Sequence, residues 1–174
     1  MANVELVSLA EEHTELILRW RSDPVVAREL FSPRAPTRAE HLAWLKTLGE
    51  TRVEFVVMTH PERQPIGTIG LSQIDRYHRT AEYGILLGEP AYRGRGFARA
   101  ASEAVLNLAF GTMALHRVGL RVFADNGPAL RLYERIGFRH EGVLREQLRG
   151  EHGYRDVVIM SLLESEWPRP ASHL

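Results

Sequence analysis

The 174-residue chain has no cysteine. That excludes disulfides, cysteine-ligated zinc and a covalent acyl-cysteine step. Lysine is nearly absent as well: Lys46 is the only one, so the other 21 of the 22 basic residues are arginines. We read this as compositional bias with little functional weight. An excess of either charge is also lacking, since 22 Lys+Arg balance 22 Asp+Glu. Such a balance argues against a general nucleic-acid binder or a polybasic membrane-surface protein. No apolar run approaches the ~18 residues of a membrane span. "MANVELVSLAEEH" shows no basic segment followed by an apolar one, so no signal peptide is visible. A cytoplasmic, soluble protein is the expectation. There is no His-Glu-x-x-His and no Gly-x-Ser-x-Gly, and the eight histidines have no ligand spacing. No metal is expected.

What is present is an ordinary globular composition, 44% hydrophobic and 25% charged. The length suits one domain with a real core. We place it at residues 1–167, with 168–174 as a frayed tail. "VELVSLA" reads as a strand. "EEHTELILRWRSDPVVAREL" reads as a helix that breaks at Asp23-Pro24. "TRAEHLAWLKTLGE" opens with a capping box, Thr37 and Glu40. The period then changes: "VEFVVMT" and "QPIGTIGLSQI" read as strands joined by a "HPER" turn, and the nearly all-apolar "TAEYGILLG" as a central strand. "GFARAASEAVLNLAF" is a helix, "RVGLRVFA" alternates as a strand, and "PALRLYERIGF" is a short helix closed by Gly137. "EGVLREQLRG" and "YRDVVIMSLL" form a closing hairpin around "GEHG". The order β-α-α-β-β-β-α-β-α-β-β gives an α/β (mixed α+β) domain of about seven strands and four helices.

The stretch "EPAYRGRGFARAA" leaves a strand and enters a helix. Position 99 is arginine, so the glycines do not form a dinucleotide fingerprint, and no Gly-Lys-Ser/Thr follows as in a Walker loop. The first-turn N–H groups of a helix lack intrahelical partners and sit at the positive end of its dipole. Gly94 and Gly96 let an anion approach that backbone, and Arg93, Arg95 and Arg99 add charge. A turn with solvated arginines and a nucleic-acid patch are the other readings of the loop alone.

Two motifs here resemble those of a known family. "RGRGFA" fits the Arg/Gln-x-x-Gly-x-Gly/Ala motif of the GNAT superfamily of N-acetyltransferases at Arg93, Gly96 and Ala98. "NGPALRLYERIGF" is similar to its second signature at Asn126, Ala129, Tyr133, Gly137 and Phe138. The tail "EGVLREQLRGEHGYRDVVIMSL" looks like the branch with ribosomal-protein N-terminal, spermidine and aminosugar-nucleotide acetyltransferases. The resemblance runs from about Pro65 to Leu163. It implies a mixed, mostly antiparallel sheet, splayed where acetyl-CoA binds.

On this resemblance the pyrophosphate of acetyl-CoA sits on Arg93, Gly94, Arg95, Gly96, Phe97 and Ala98, mainly through backbone N–H groups. Free main-chain groups of Ile85, Leu86 and Leu87 pair with the pantetheine arm, while their side chains pack in the core. Asn126 and Ala129 hold the arm, although Asn126 also suits a helix start. Tyr133 is the general acid for the leaving thiolate. Glu82 is the candidate base, and the same position suits a strand-end glutamate in a salt bridge. With no cysteine, direct transfer in a ternary complex is expected. The amine acceptor, a protein N-terminus or a small molecule such as a polyamine, belongs near Trp20, Arg21 and Tyr154. An aminosugar-nucleotide or antibiotic acceptor is the first alternative, and a non-catalytic acetyl-CoA sensor is the alternative of another class. No nucleic-acid or membrane partner is expected; a homodimer is possible.

Overall fold

In the computed structural model, which describes residues 2–32 and 34–168, seven strands form one sheet. They are β1 (Val4–Ser8), β2 (Val53–Thr59), β3 (Pro65–Asp75), β4 (Thr80–Leu87), β5 (Arg117–Phe123), β6 (Arg139–Gly150) and β7 (Gly153–Leu163). The order across the sheet is β1-β2-β3-β4-β5-β7-β6. Five helices flank it: α1 (Thr14–Ser22), α2 (Pro24–Ala27), α3 (Arg38–Leu45), α4 (Phe97–Asn107) and α5 (Gly127–Ile136). The expected first helix is thus two, split at Asp23. Its carboxylate accepts from the Val25 N–H, and Pro24 starts the next turn. The tail expected to fray lies, from residue 169 on, outside the described residues.

The capping box of α3 forms as read, with Glu40 N–H donating to Thr37 Oγ1 and Thr37 N–H to Glu40 Oε2. Gly137 closes α5 at φ 118°, a left-handed conformation that favours glycine. All strand pairs are antiparallel except β4 with β5. That parallel pair is short: Thr80–Glu82 face Arg117–Gly119, and the strands then part. From Tyr83 onward β4 pairs only with β3, so one edge of its backbone is free. The sheet splays where the family resemblance placed the splay.

The two faces carry different cores. Ile69, Leu71, Tyr83, Val118 and Leu120 pack beneath α4 and α5 with Ala101, Val105 and Phe138. On the other face Val56 meets Leu9, Ile17 and Trp20 under α1. Each such large side chain contributes roughly 1.5–3 kcal/mol by leaving water. The splay is therefore held open between two rigid layers.

Candidate active site

A cleft of about 880 Å³ enters the splay from both faces of the sheet. Its floor is Glu82–Leu87 of β4. On one side stand Gly94, Gly96 and Ala98 at the start of α4, and Asn126, Ala129 and Tyr133 of α5. On the other stand Val25 and Val26 of α2, the following Arg28–Phe31 segment, and Arg121 of β5. A smaller cavity of about 240 Å³ near Met113–Leu115 brings no nucleophile or base together. Among the described residues no group of three or more His, Asp or Glu could hold a metal, and no helix is long and apolar enough to cross a membrane.

The anion loop is built from backbone. Gly94 and Gly96 have φ of 70° and 88°, and Gly96 is the N-cap of α4. Both conformations suit glycine, and the first-turn N–H groups of α4 have no intrahelical partner. The arginines serve the loop itself. Arg93 donates to Leu87 O and Gly88 O at the end of β4. Arg95 donates to Ala91 O and lies over the Tyr92 and Phe97 rings. Arg99 pairs with Glu103 one turn on. Phe97 is buried in the core, and neither it nor Arg95 lines the cleft.

Ile85, Leu86 and Leu87 line the cleft beside their free backbone edge. Leu86 also packs into the core beneath α1. Asn126 caps α5, accepting the Ala129 N–H at 3.1 Å, so helix start and cleft wall are the same residue. Tyr133 is 7% exposed and stacks edge-on to Tyr83, with ring centroids 5.8 Å apart. Burial pushes the Tyr133 phenol up to about 12. Its hydroxyl has no protein hydrogen-bond partner among the described residues, so its proton is held and unspent.

Glu82 also lines the cleft, but its carboxylate is committed. Oε1 accepts two N–H groups of Arg121 at 2.9 and 3.1 Å, and Oε2 accepts from Gln73 at 3.0 Å. The strand-end salt bridge foreseen for this position is what forms. Arg121 in turn lies 5.3 Å over the Phe31 ring, which meets Phe123 edge-on. Arg155 ties down the same wall by donating to Asp125 and to Arg28 O.

The three residues expected near the acceptor do not line the cleft. Trp20 is 2% exposed and donates through Nε1 to Glu89 Oε1, because an indole on the inner face of α1 is core with one polar tip. Arg21 turns under α1, where its Nε is buried. Tyr154 sits beside the β6–β7 turn, exposed, opposite Arg149. Sequence reasoning missed Phe31, Arg121 and Asp125. Arg121 carried a signal, since the alternation of "RVGLRVFA" turns it away from Leu120 and Val122. Phe31 follows α2 in an irregular segment and carried none.

Comparison with known proteins agrees with this geometry. Residues 3–139 match the acetyltransferase (GNAT) domain. The chain is 35% identical over 111 residues to a spermidine N(1)-acetyltransferase of Vibrio cholerae, an alignment that spans 64% of each chain. It is 26% identical over 161 residues, 90% of each chain, to the uncharacterized N-acetyltransferase p20 of Bacillus licheniformis. The crystal structure of the Vibrio cholerae spermidine N-acetyltransferase in complex with CoA and spermine superposes with a TM-score of 0.88 at 28% identity, covering 94% of this chain and 97% of that one. The split β4–β5 pair, the glycine loop at the start of α4 and the matched domain over most of the length lead to one conclusion: this chain belongs to the GNAT acetyltransferase family.

Proposed function

We propose that residues 1–167 form an acetyl-CoA-dependent N-acetyltransferase that passes an acetyl group directly to a primary amine. The observation that carries this is one cleft in which a free β4 edge, the α4 glycine loop and the buried Tyr133 hydroxyl converge. The residues fit acetyl-CoA on their own terms. Left-handed Gly94 and Gly96 keep side chains away from the first-turn N–H groups, which suits a pyrophosphate. The edge of β4 that faces away from β3 after Glu82, apart from Leu87 O, which accepts from Arg93, suits the amides of a pantetheine arm, as an added strand would. Bound there, acetyl-CoA supplies the activated acetyl carbon.

Tyr133 then serves the sulfur. A free thiol has a pKa near ~8.5, so complete transfer from a phenol at about 12 would be uphill by about 5 kcal/mol. The hydroxyl therefore donates a hydrogen bond to sulfur as charge develops and passes its proton only as the C–S bond breaks. Placing the donor in a desolvated wall strengthens that bond where it is needed.

For the acceptor, polyamine relatives support a small-molecule amine. Here the wall carries Glu29, Glu82 and Asp125, each paired with an arginine. The test is a thiol-release assay with acetyl-CoA and polyamines, N-terminal peptides, aminoglycosides and aminosugar nucleotides. Release with at least one amine is expected. Tight acetyl-CoA binding without release from any would favour a sensor. Self-association belongs to the same reading, since one solved relative is described as dodecameric; sedimentation would measure it.

A further inference from the structure

We infer that Glu54 is the proton acceptor for the amine, acting through water in a slot that Gly70 and Gly84 leave open between its carboxylate and the cleft floor. This rests on the acetyltransferase reading above and assigns the base that the cleft wall itself does not supply.

The slot follows from the register. Glu54 of β2 pairs with Gly70 of β3, and Gly70 pairs with Gly84 of β4. Side chains at paired positions share a face of the sheet. The row therefore starts with a carboxylate and continues with two residues that have no side chain. A Cβ on Gly70 would collide with the Glu54 carboxylate, so the carboxylate lies over Gly70. A Cβ on Gly84 would meet nothing within 4 Å, and Gly84 lines the cleft. Adjacent strands are about 4.8 Å apart. That separates the carboxylate from the open space above Gly84 by roughly one water.

Two polar groups without protein partners belong to the helices over this face of the sheet. Arg21 Nε of α1 and His41 Nε2 of α3 are buried and bonded to nothing in the protein. Arg21 acts electrostatically on both His41 and Glu54. Arg52, just before β2 and over the Trp44 ring, is the other charge that acts on it. The Glu54 carboxylate has no hydrogen bond or ion pair among the described residues. A buried water needs two to four polar partners, and Glu54 and Arg21, which act on each other electrostatically, provide two. Buried polar groups left unpaired in a folded protein call for such an explanation.

The chemistry also fits. Burial pushes the Glu54 carboxyl from 4.5 up to about 7, against the pull of Arg52 and Arg21. That makes it about 300-fold the better proton acceptor and places it near working pH. Burial holds the His41 imidazole down, with Arg21 adding to the effect, so it takes up no competing proton near neutrality. The ammonium passes one proton through water to Glu54. The neutral nitrogen attacks the thioester carbonyl, the C–N bond forms and the C–S bond breaks with its electron pair on sulfur. Tyr133 gives its proton to that sulfur, and the second nitrogen proton returns to the Tyr133 oxygen. Glu54 then releases its proton to solvent, and the sum is amide, thiol and one proton.

The test is kcat/KM against pH for the wild type, Glu54→Gln and Glu82→Gln, with the amine that wild type turns over best. Turnover of no amine by the wild type would defeat the acetyltransferase reading itself and this assignment with it. Given turnover, the wild type should show an acidic limb, kcat/KM rising with pH, with an apparent pKa near 7. Glu54→Gln should lose about 10²-fold at pH 7 and lose that limb, with acetyl-CoA affinity unchanged by calorimetry. Glu82→Gln should keep it. A limb retained in Glu54→Gln, or lost in Glu82→Gln, would overturn the assignment. Gly84→Ala adds a methyl group to the slot without touching either carboxylate. It should also suppress the limb, and a wild-type profile there would count against the water path.

Discussion

The Trp20 indole fills the space that a Cβ on Gly88 would need, and its Nε1–H donates to Glu89 Oε1 at 2.7 Å. Arg19 pairs with the same carboxylate. Helix α1 is thereby pinned to the segment that joins β4 to the anion loop. The residue expected at the acceptor thus packs instead against the segment that leads into the glycine loop. Gly88→Ala must push the ring out of a packed layer, which costs on the order of 1–3 kcal/mol. We expect a lower Tm by thermal denaturation and weaker acetyl-CoA binding by calorimetry. An unchanged Kd would mean that loop and helix are uncoupled.

Tyr133→Phe removes one hydroxyl that has no protein hydrogen-bond partner among the described residues. The expected result is a fall in kcat of about 10²–10³ with acetyl-CoA affinity within a factor of two. Stopped-flow thiol detection with parallel calorimetry separates the two effects. A change in affinity alone would assign the tyrosine to packing.

Gly96 combines a left-handed backbone with the start of α4. Gly96→Asp adds strain of roughly 1–2 kcal/mol and a like charge beside the pyrophosphate site. Acetyl-CoA binding should weaken more than tenfold, with circular dichroism close to wild type. Normal affinity in the folded variant would remove the phosphate role from this loop.

Glu54 links catalysis to stability. Its folded-state pKa of about 7 lies above the ordinary 4.5, so between those values the native state holds the extra proton. Stability therefore falls as pH rises through this window, by about 3 kcal/mol once the group is ionised. Glu54→Gln abolishes that loss. The variant should be more stable than wild type at pH 8 and close to it at pH 4.5 in urea melts, and an equal offset at both values would show that Glu54 does not titrate as described.

Arg155 donates to Asp125 and Arg28 O and lies 3.5 Å over the Phe123 ring. Arg155→Met breaks charged hydrogen bonds, each contributing about 1.5–3 kcal/mol, and loosens the wall formed by residues 28–31. Here KM for the amine should rise several-fold while acetyl-CoA affinity holds. A rise in the acetyl-CoA Kd instead would place Arg155's influence on the cofactor half.

Local pattern determined a good deal of this protein. The period change after residue 50, the Thr37–Glu40 box and Gly137 at the end of α5 all stand where the sequence reading put them, because capping and alternation act within a few residues. The glycine loop and Tyr133 were readable for a related reason: each motif lies within one strand–turn–helix unit. Which charges remain free was decided only in three dimensions. Glu82 and Arg121 are 39 residues apart and meet because β4 and β5 run parallel and then split. Glu54 gained its surroundings from Arg21 and Gly70, which lie on two other elements. Whether a carboxylate is solvated, paired or buried depends on neighbours distant in sequence, and a carboxylate's environment sets its proton affinity. Sequence alone therefore named the family, and only tertiary packing decided that Glu82 is paired with Arg121 while Glu54 is left without a hydrogen bond.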